Sequence, residues 1–332
     1  MAGVSTPAMA AAVSNAGGLG ALGLGAMDAT TAAREIAAFR ERSTRALHVN
    51  VFCHRPAVAD AAREARWLDR LRPEFTRVDA QAPASLSEIY TSFVVDEAIF
   101  ALQCETRPQV VSFHFGLPRI EWVRALREEG IVLFASATSL DEARACVAAG
   151  VHGVIAQGWE AGGHRGVFDP GARDDCLGTN ALTRMLVRAL DAPIIAAGGL
   201  MDGAGIASAL RLGASAAQLG TAFVACDESA ADAGYRAALQ SDAAQHTTMT
   251  RAISGRLARC LANRFTALDV DARDIPDYPI AYDAGKALHA AAKSKGDYGY
   301  GAQWAGQGAP LSRAVSTEAL MRTLIDELDA AT

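Results

Sequence analysis

Lysine is nearly absent from this chain of 332 residues. Only Lys286, Lys293 and Lys295 occur among 31 basic residues, so arginine supplies the rest. With the heavy use of alanine, that ratio reflects base composition rather than chemistry. No basic run or stripe accompanies the formal charge of −6, which excludes a nucleic-acid or anionic-membrane binder. There is no C-x-x-C pair and no Cys/His cluster. Cys53, Cys104, Cys146, Cys176, Cys226 and Cys260 are scattered, which excludes a disulfide framework or a zinc site. They read as small buried side chains in a reducing cytoplasm, and no metal is expected. The first 27 residues carry no charge, yet they lack a basic leader, and Ser14, Asn15 and repeated glycines interrupt the apolar run. Neither a signal peptide nor a membrane span fits. No G-x-S-x-G elbow, Walker loop or G-x-G-x-x-G after a strand is present. Ala16–Gly20 is glycine-rich but follows a helical segment, so it reads as a helix stop and a tight turn into a strand.

What is present is an apolar chain, 51% hydrophobic and 20% charged, able to build a large core. Short apolar runs at Leu47–Cys53, Val110–Gly116, Ile131–Ala137, Gly153–Gly158, Pro193–Gly199 and Ala216–Thr221 predict strands. Gly20–Gly25 is weaker, and Ala2–Val4 fits the tail of another. The runs are continuous rather than alternating, as in a parallel sheet covered on both faces. Between them lie amphipathic stretches: Ala29–Arg42, Ala57–Leu71, Arg119–Glu129, Leu140–Ala149, Asn180–Leu190 and Gly203–Leu212. Asp28, Ser139 and Asp202 stand where N-caps belong. Eight strands with crossover helices predict a (β/α)8 TIM barrel, with an open doubly wound sheet as the alternative. The expected division is a barrel over 1–240, with an insertion at about 73–103 that holds extra helices. A smaller, mainly helical substrate or lid region follows over 241–332, free of strands, its last helix packing back on the barrel.

In a barrel the chemistry sits at the C-terminal strand ends. Gly198-Gly199-Leu-Met-Asp-Gly203 and Leu219-Gly220-Thr221 each place glycine at a strand end before a helix, the common phosphate position of such barrels, although tight turns alone would leave the same pattern. Gln157 and Asn50 are amides on apolar strands, suited to a heterocycle's carbonyls and ring nitrogens or to a structural bond in the barrel mouth. His164 follows Gly162-Gly163, so its imidazole can reach a ligand as an acid/base or as a partner for an anion. His48, His152, His246 and His289 read as structural. Glu160 either orients a partner or is a structural carboxylate.

Seven motifs occur in order: Gly3-Val-Ser-Thr-Pro7, Asn15-Ala-Gly-Gly-Leu-Gly20, Asn50-Val-Phe-Cys-His-Arg-Pro56, Ser112-Phe-His-Phe-Gly116, Gln157-Gly-Trp-Glu-Ala-Gly-Gly-His-Arg-Gly166, Ala197-Gly-Gly-Leu-Met-Asp-Gly203 and Gln218-Leu-Gly-Thr-Ala-Phe223. With Tyr282-Asp-Ala-Gly-Lys286 and Ala302-Gln-Trp-Ala-Gly-Gln-Gly308, the set closely resembles the bacterial class I nitronate monooxygenases, once called 2-nitropropane dioxygenases. The resemblance implies an FMN-dependent enzyme on a (β/α)8 barrel. Such an enzyme oxidises alkyl nitronates, propionate 3-nitronate above all, with O2 and without NAD(P)H, to a carbonyl compound and nitrite. It implies His164 as the catalytic histidine. It implies Asn50, Gln157, Gly162, Gly199, Gln218, Leu219, Gly220 and Thr221 as FMN-binding, and Tyr90, His114, Tyr278, Tyr282 and Lys286 along the substrate side. The i, i+4, i+8 spacing of the last three would put them on one helical face. Relatives begin with a segment that supplies most of the first strand, whereas this chain opens at that strand's end, leaving neighbouring edges without a partner. A small-molecule substrate, a cytoplasmic location and a monomer or homodimer complete the expectation. Two enzymatic rivals are an NAD(P)H-dependent FMN reductase of quinones or enoyl thioesters and a non-redox phosphate-binding lyase or isomerase. The motif set argues against the first. The absence of a Schiff-base lysine or paired carboxylates at strand ends argues against the second.

Overall fold

The computed structural model describes residues 1–332. Seven parallel strands form one curled sheet: β1 (Gly20–Gly23), β2 (Leu47–Phe52), β3 (Val110–His114), β4 (Val132–Ala137), β5 (Gly153–Gln157), β7 (Ile194–Ala197) and β8 (Ala216–Gln218), in the order β1-β2-β3-β4-β5-β7-β8. The architecture is TIM-barrel-like with seven strands rather than the expected eight. Ala2–Val4 is a turn, closed by Val4 and Ser5 N–H bonds to the Met1 carbonyl. Met1 and Ala2 lie in the gap between the two edge strands, against Gly23 on one side and Gly220 on the other.

Strands β1 to β5 and β7 form where predicted because most of their residues are buried on both faces, whereas β8 is an exposed edge. Val49, Val111, Phe113, Leu133 and Val154 have no measurable exposure, and each such side chain stabilises the fold by about 1.5–3 kcal/mol. The crossover helices start at the expected caps. Asp28 accepts from Thr31 N–H at the head of α2 (Ala29–Arg40), Ser139 from Glu142 N–H at α6 (Leu140–Ala148), and Asp202 from Gly205 N–H at α8 (Gly203–Arg211). The glycine-rich Ala16–Gly20 turn joins α1 (Pro7–Asn15) to β1, with Gly17 at φ +92°.

Further expectations need correction. Helix α3 runs from Ala61 to Arg77, straight through Pro73, instead of ending near Leu71. Its Trp67, Leu71 and Phe75 are buried in a second apolar core with Ala284 and Leu288 of α11 (Ile280–Ser294), and that packing outweighs the hydrogen bond proline removes. The inserted segment then holds one further helix, α4 (Glu97–Thr106), before β3. The region after Ser241 also contains strands: β9 (Thr247–Thr250) and β10 (Ala258–Leu261) form an antiparallel sheet with β6 (Gly163–His164), in the order β6-β10-β9. Four-residue strands carry little periodicity, and buried Arg259 masks β10 as a strand. Finally, Tyr278 precedes α11 rather than lying on it.

Of the cysteines, Cys53, Cys146, Cys226 and Cys260 are buried as expected, whereas Cys176 is exposed. No helix is long and apolar enough to cross a membrane. The last helix, α12 (Thr317–Ala331), packs on α8 and α1, so closely at Gly203 that any Cβ there would meet the backbone of Leu328.

Candidate active site

The carboxyl ends of β2, β3 and β5 open beneath α11 and the β6-β10-β9 sheet, and His164 hangs between them. Pairing of β6 with β10 sets His164 opposite Ala258. From below, Gln157 Nε2 donates to the His164 carbonyl at 3.0 Å, and Gln157 Oε1 accepts from Gly166 N–H at 2.7 Å. His114 Nε2 also meets the His164 carbonyl, at 3.3 Å, while its Nδ1 meets Ser136 Oγ at 2.9 Å. The imidazole itself lies within 4.9 to 6.2 Å, ring centre to ring centre, of Trp304, Tyr278, Phe115 and Tyr282.

Its Nε2 is 2.8 Å from Ser254 Oγ, which itself donates to the Arg256 carbonyl at 3.2 Å. In the tautomer whose Nε2–H donates to Ser254 Oγ, Nδ1 keeps its lone pair. Burial, then the nearby Arg256 guanidinium, pushes the His164 pKa down to about 3. The ring is therefore neutral at physiological pH. His114 is likewise lowered to about 4, burial being the main cause.

Phe115 lies at the centre of this niche. It is buried with φ +74°, a left-handed conformation that costs a bulky residue about 1–3 kcal/mol. Its ring touches those of Phe52, His54, His114, His164 and Tyr278, and the Arg256 guanidinium lies 4.2 Å from its centre.

The structure brings Tyr90, Tyr278 and Tyr282 together, although only Tyr282 and Lys286 share the α11 helix. Tyr90 is 6.4 Å from Tyr278 and 6.0 Å from Tyr282. Lys286 Nζ lies 4.7 Å from the Tyr90 ring and 5.5 Å from that of Tyr282, an exposed cation at the rim of an aromatic wall. Partial desolvation against that wall lowers its pKa, and burial pushes Tyr282 up to about 12.

Asn50 donates to Ser112 Oγ at 2.7 Å, inside the mouth of the sheet. Glu160 accepts from both N–H and Oγ1 of Thr179, at the start of α7 (Thr179–Ala189), a structural carboxylate at the positive end of a helix. At the ends of β7 and β8, the N–H groups of Gly198, Gly199 and Gly220 bond to no backbone acceptor. Gly198 and Gly199 have φ of +129° and +69°. Gly162 meets Ala305 and Gly306 so closely that a Cβ would fall 2.4 Å from Gly306 N. Thr221 Oγ1 accepts from Gly306 N–H, which seats the Ala302–Gly308 segment on this loop cluster. Gln218 is exposed on the edge strand, and Leu219 packs with the apolar residues around α8.

Sequence reasoning passed over His54, Ser254, Arg256 and Trp304 as functional candidates. His54 and Trp304 stand in recognised motifs. Ser254-Gly255-Arg256 had no signal, because one arginine more in an arginine-rich chain is unremarkable and its burial is a tertiary fact.

The sequence model of the family described as nitronate monooxygenase matches residues 1–327. A nitronate monooxygenase of Paraburkholderia phytofirmans is 60% identical over 99% of this chain and 90% of its own length. One from Pseudomonas aeruginosa is 50% identical over 99% and 94%. The solved nitroalkane oxidase from Streptomyces ansochromogenes superposes with a TM-score of 0.92 at 38% identity, covering 99% of this chain and 93% of that one. With the imidazole, the tyrosines and the glycine loops all standing at the strand ends of a fold shared so completely, the chain belongs to the nitronate monooxygenase family.

Proposed function

We propose that this enzyme oxidises alkyl nitronates, with propionate 3-nitronate as the favoured substrate, using FMN and O2 and no NAD(P)H, and releases a carbonyl compound and nitrite. The observation that carries the reading is His164: a neutral imidazole with one free nitrogen, walled by Phe115, Tyr278, Tyr282 and Trp304 at the strand ends.

The family is flavin-dependent, and the residues present fit such a group. Three N–H groups without a backbone acceptor at two adjacent strand ends, two of them on the glycine pair after β7, suit the phosphate of FMN. Gly162, Gly199 and the run Gln218, Leu219, Gly220, Thr221 would line that end, with Asn50 and Gln157 toward the ring. Only one such cradle exists, so a mononucleotide is expected rather than FAD. When bound, the flavin supplies the electron acceptor.

The chain's own residues do the rest. His164 Nδ1 takes the α-proton of a neutral nitroalkane, and its carbonyl, fixed by Gln157 and His114, holds the ring in register. Tyr90, Tyr278 and Tyr282 bound a flat substrate and exclude water, while Lys286 meets a carboxylate at the rim. Six free thiols are compatible with work in the cytoplasm as a monomer or homodimer.

The test is the visible spectrum of the purified protein before and after anaerobic addition of propionate 3-nitronate, with mass spectrometry of the released cofactor. Bleaching of an FMN spectrum without NAD(P)H is expected. A colourless protein that FMN cannot reconstitute, or a flavin that responds only to NAD(P)H, overturns the reading.

A further inference from the structure

Arg256 is a buried cation without a counterion. It is 4% exposed, one Nη donates to the Val167 carbonyl, and its Nε is buried with no partner. The neighbouring buried arginines differ. Arg165 is paired with Asp174 at 2.7 Å, and Arg259 gives three of its donors to Trp159 O and Thr247 Oγ1. Leaving a guanidinium buried and unpaired is costly unless an anion arrives.

Two more unpaired polar groups share its surroundings. His54 is 1% exposed and neither ring nitrogen has a partner. Tyr278 is 7% exposed and its hydroxyl has none. The two rings meet edge-on at 4.9 Å, and both border Phe115, over which the Arg256 guanidinium stacks. Three nine-tenths-buried side chains around one strained phenylalanine, next to His164, therefore keep polar atoms without a partner: Arg256 Nε, both His54 ring nitrogens and the Tyr278 hydroxyl.

We propose that Arg256, with His54 and Tyr278, is the anion site for the oxygens of the nitronate group itself. This rests on the nitronate reading and adds a specificity-determining residue to it. A guanidinium presents two parallel N–H groups that match a planar pair of oxygens. The neutral His54 N–H and the Tyr278 hydroxyl supply further donors. Because His164 is itself uncharged, the positive charge that recognises the anion is Arg256, whereas Lys286 at the rim serves only substrates with a second, carboxylate charge. The buried guanidinium also favours the nitronate over the neutral nitroalkane, since only the anion compensates it.

Nitrate, planar and unreactive, is the probe. Flavin-loaded wild-type protein should bind nitrate by calorimetry, and nitrate should raise KM for ethyl nitronate without lowering kcat. Arg256→Met should weaken nitrate binding and raise KM for both ethyl nitronate and propionate 3-nitronate by about tenfold or more, the loss expected for one charge-assisted bond. Arg256→Lys should restore part of it. Tyr278→Phe, which deletes only the unpaired hydroxyl, should weaken nitrate by about two- to tenfold and remains informative if the methionine variant fails to fold. Unchanged nitrate affinity in the folded variants, or no competitive binding to wild type, overturns the proposal. Nitrate binding that depends on Arg256 in a protein that turns over no nitronate would keep the anion site and sink the enzymatic reading instead.

Discussion

Gln157 spans the backbone on either side of Arg165, donating to the His164 carbonyl at 3.0 Å and accepting from Gly166 N–H at 2.7 Å. One amide at the end of β5 thus fixes the chain segment that carries the candidate base. Gln157→Leu keeps the volume but leaves the buried Gly166 N–H without an acceptor. A stability loss of about 1–3 kcal/mol is expected in urea unfolding, with a lower kcat as His164 loses its register. Unchanged stability and turnover would show that the bond positions nothing.

His164→Asn should retain flavin, because the glycine loops after β7 and β8 are untouched. Turnover of preformed nitronate should fall, and oxidation of the neutral nitroalkane should fall further, by about 10²–10⁴-fold, since only that substrate needs a base. Stopped-flow flavin reduction by each form measures both. Wild-type rates with both forms would remove His164 from the chemistry.

Lys286 Nζ sits over the Tyr90 and Tyr282 rings at the rim. Lys286→Met should raise KM for propionate 3-nitronate by about tenfold or more while leaving a simple alkyl nitronate near its wild-type value. Equal effects on both would deny it a carboxylate role and would also blur its distinction from Arg256.

Acid should destabilise this fold through its buried histidines. Burial holds His48, His54 and His114 near 4 and His164 near 3, against an ordinary value of 6.5. Between those values the unfolded chain binds protons that the folded chain does not, so stability is fully present above pH 6.5 and falls as the pH drops toward 4. Thermal melts from pH 7.5 to 4.5 should show Tm falling below pH 6.5, with a shallower slope in His48→Asn. A flat profile across that range would contradict the burial.

Much of the fold and part of the site were determined by the sequence alone. Continuous apolar runs such as Ile194–Ala197 read as strands covered on both faces, and Asp28, Ser139 and Asp202 cap helices wherever the chain goes next. Motif order singled out His164, the tyrosines and the glycine loops as candidates, because short local motifs carry them. The tertiary structure decided what depends on partners distant in the chain. Helix α3 passes Pro73 because α11, two hundred residues on, buries its apolar face. Strands β9 and β10 exist because β6 offers an edge, and Tyr278 joins Tyr90 without a shared helix. Arg256 is the sharpest case. Arginine is ordinary in this sequence, and only folding takes this one out of water with no carboxylate in ion-pair contact and sets it beside Phe115, where its charge acquires a meaning.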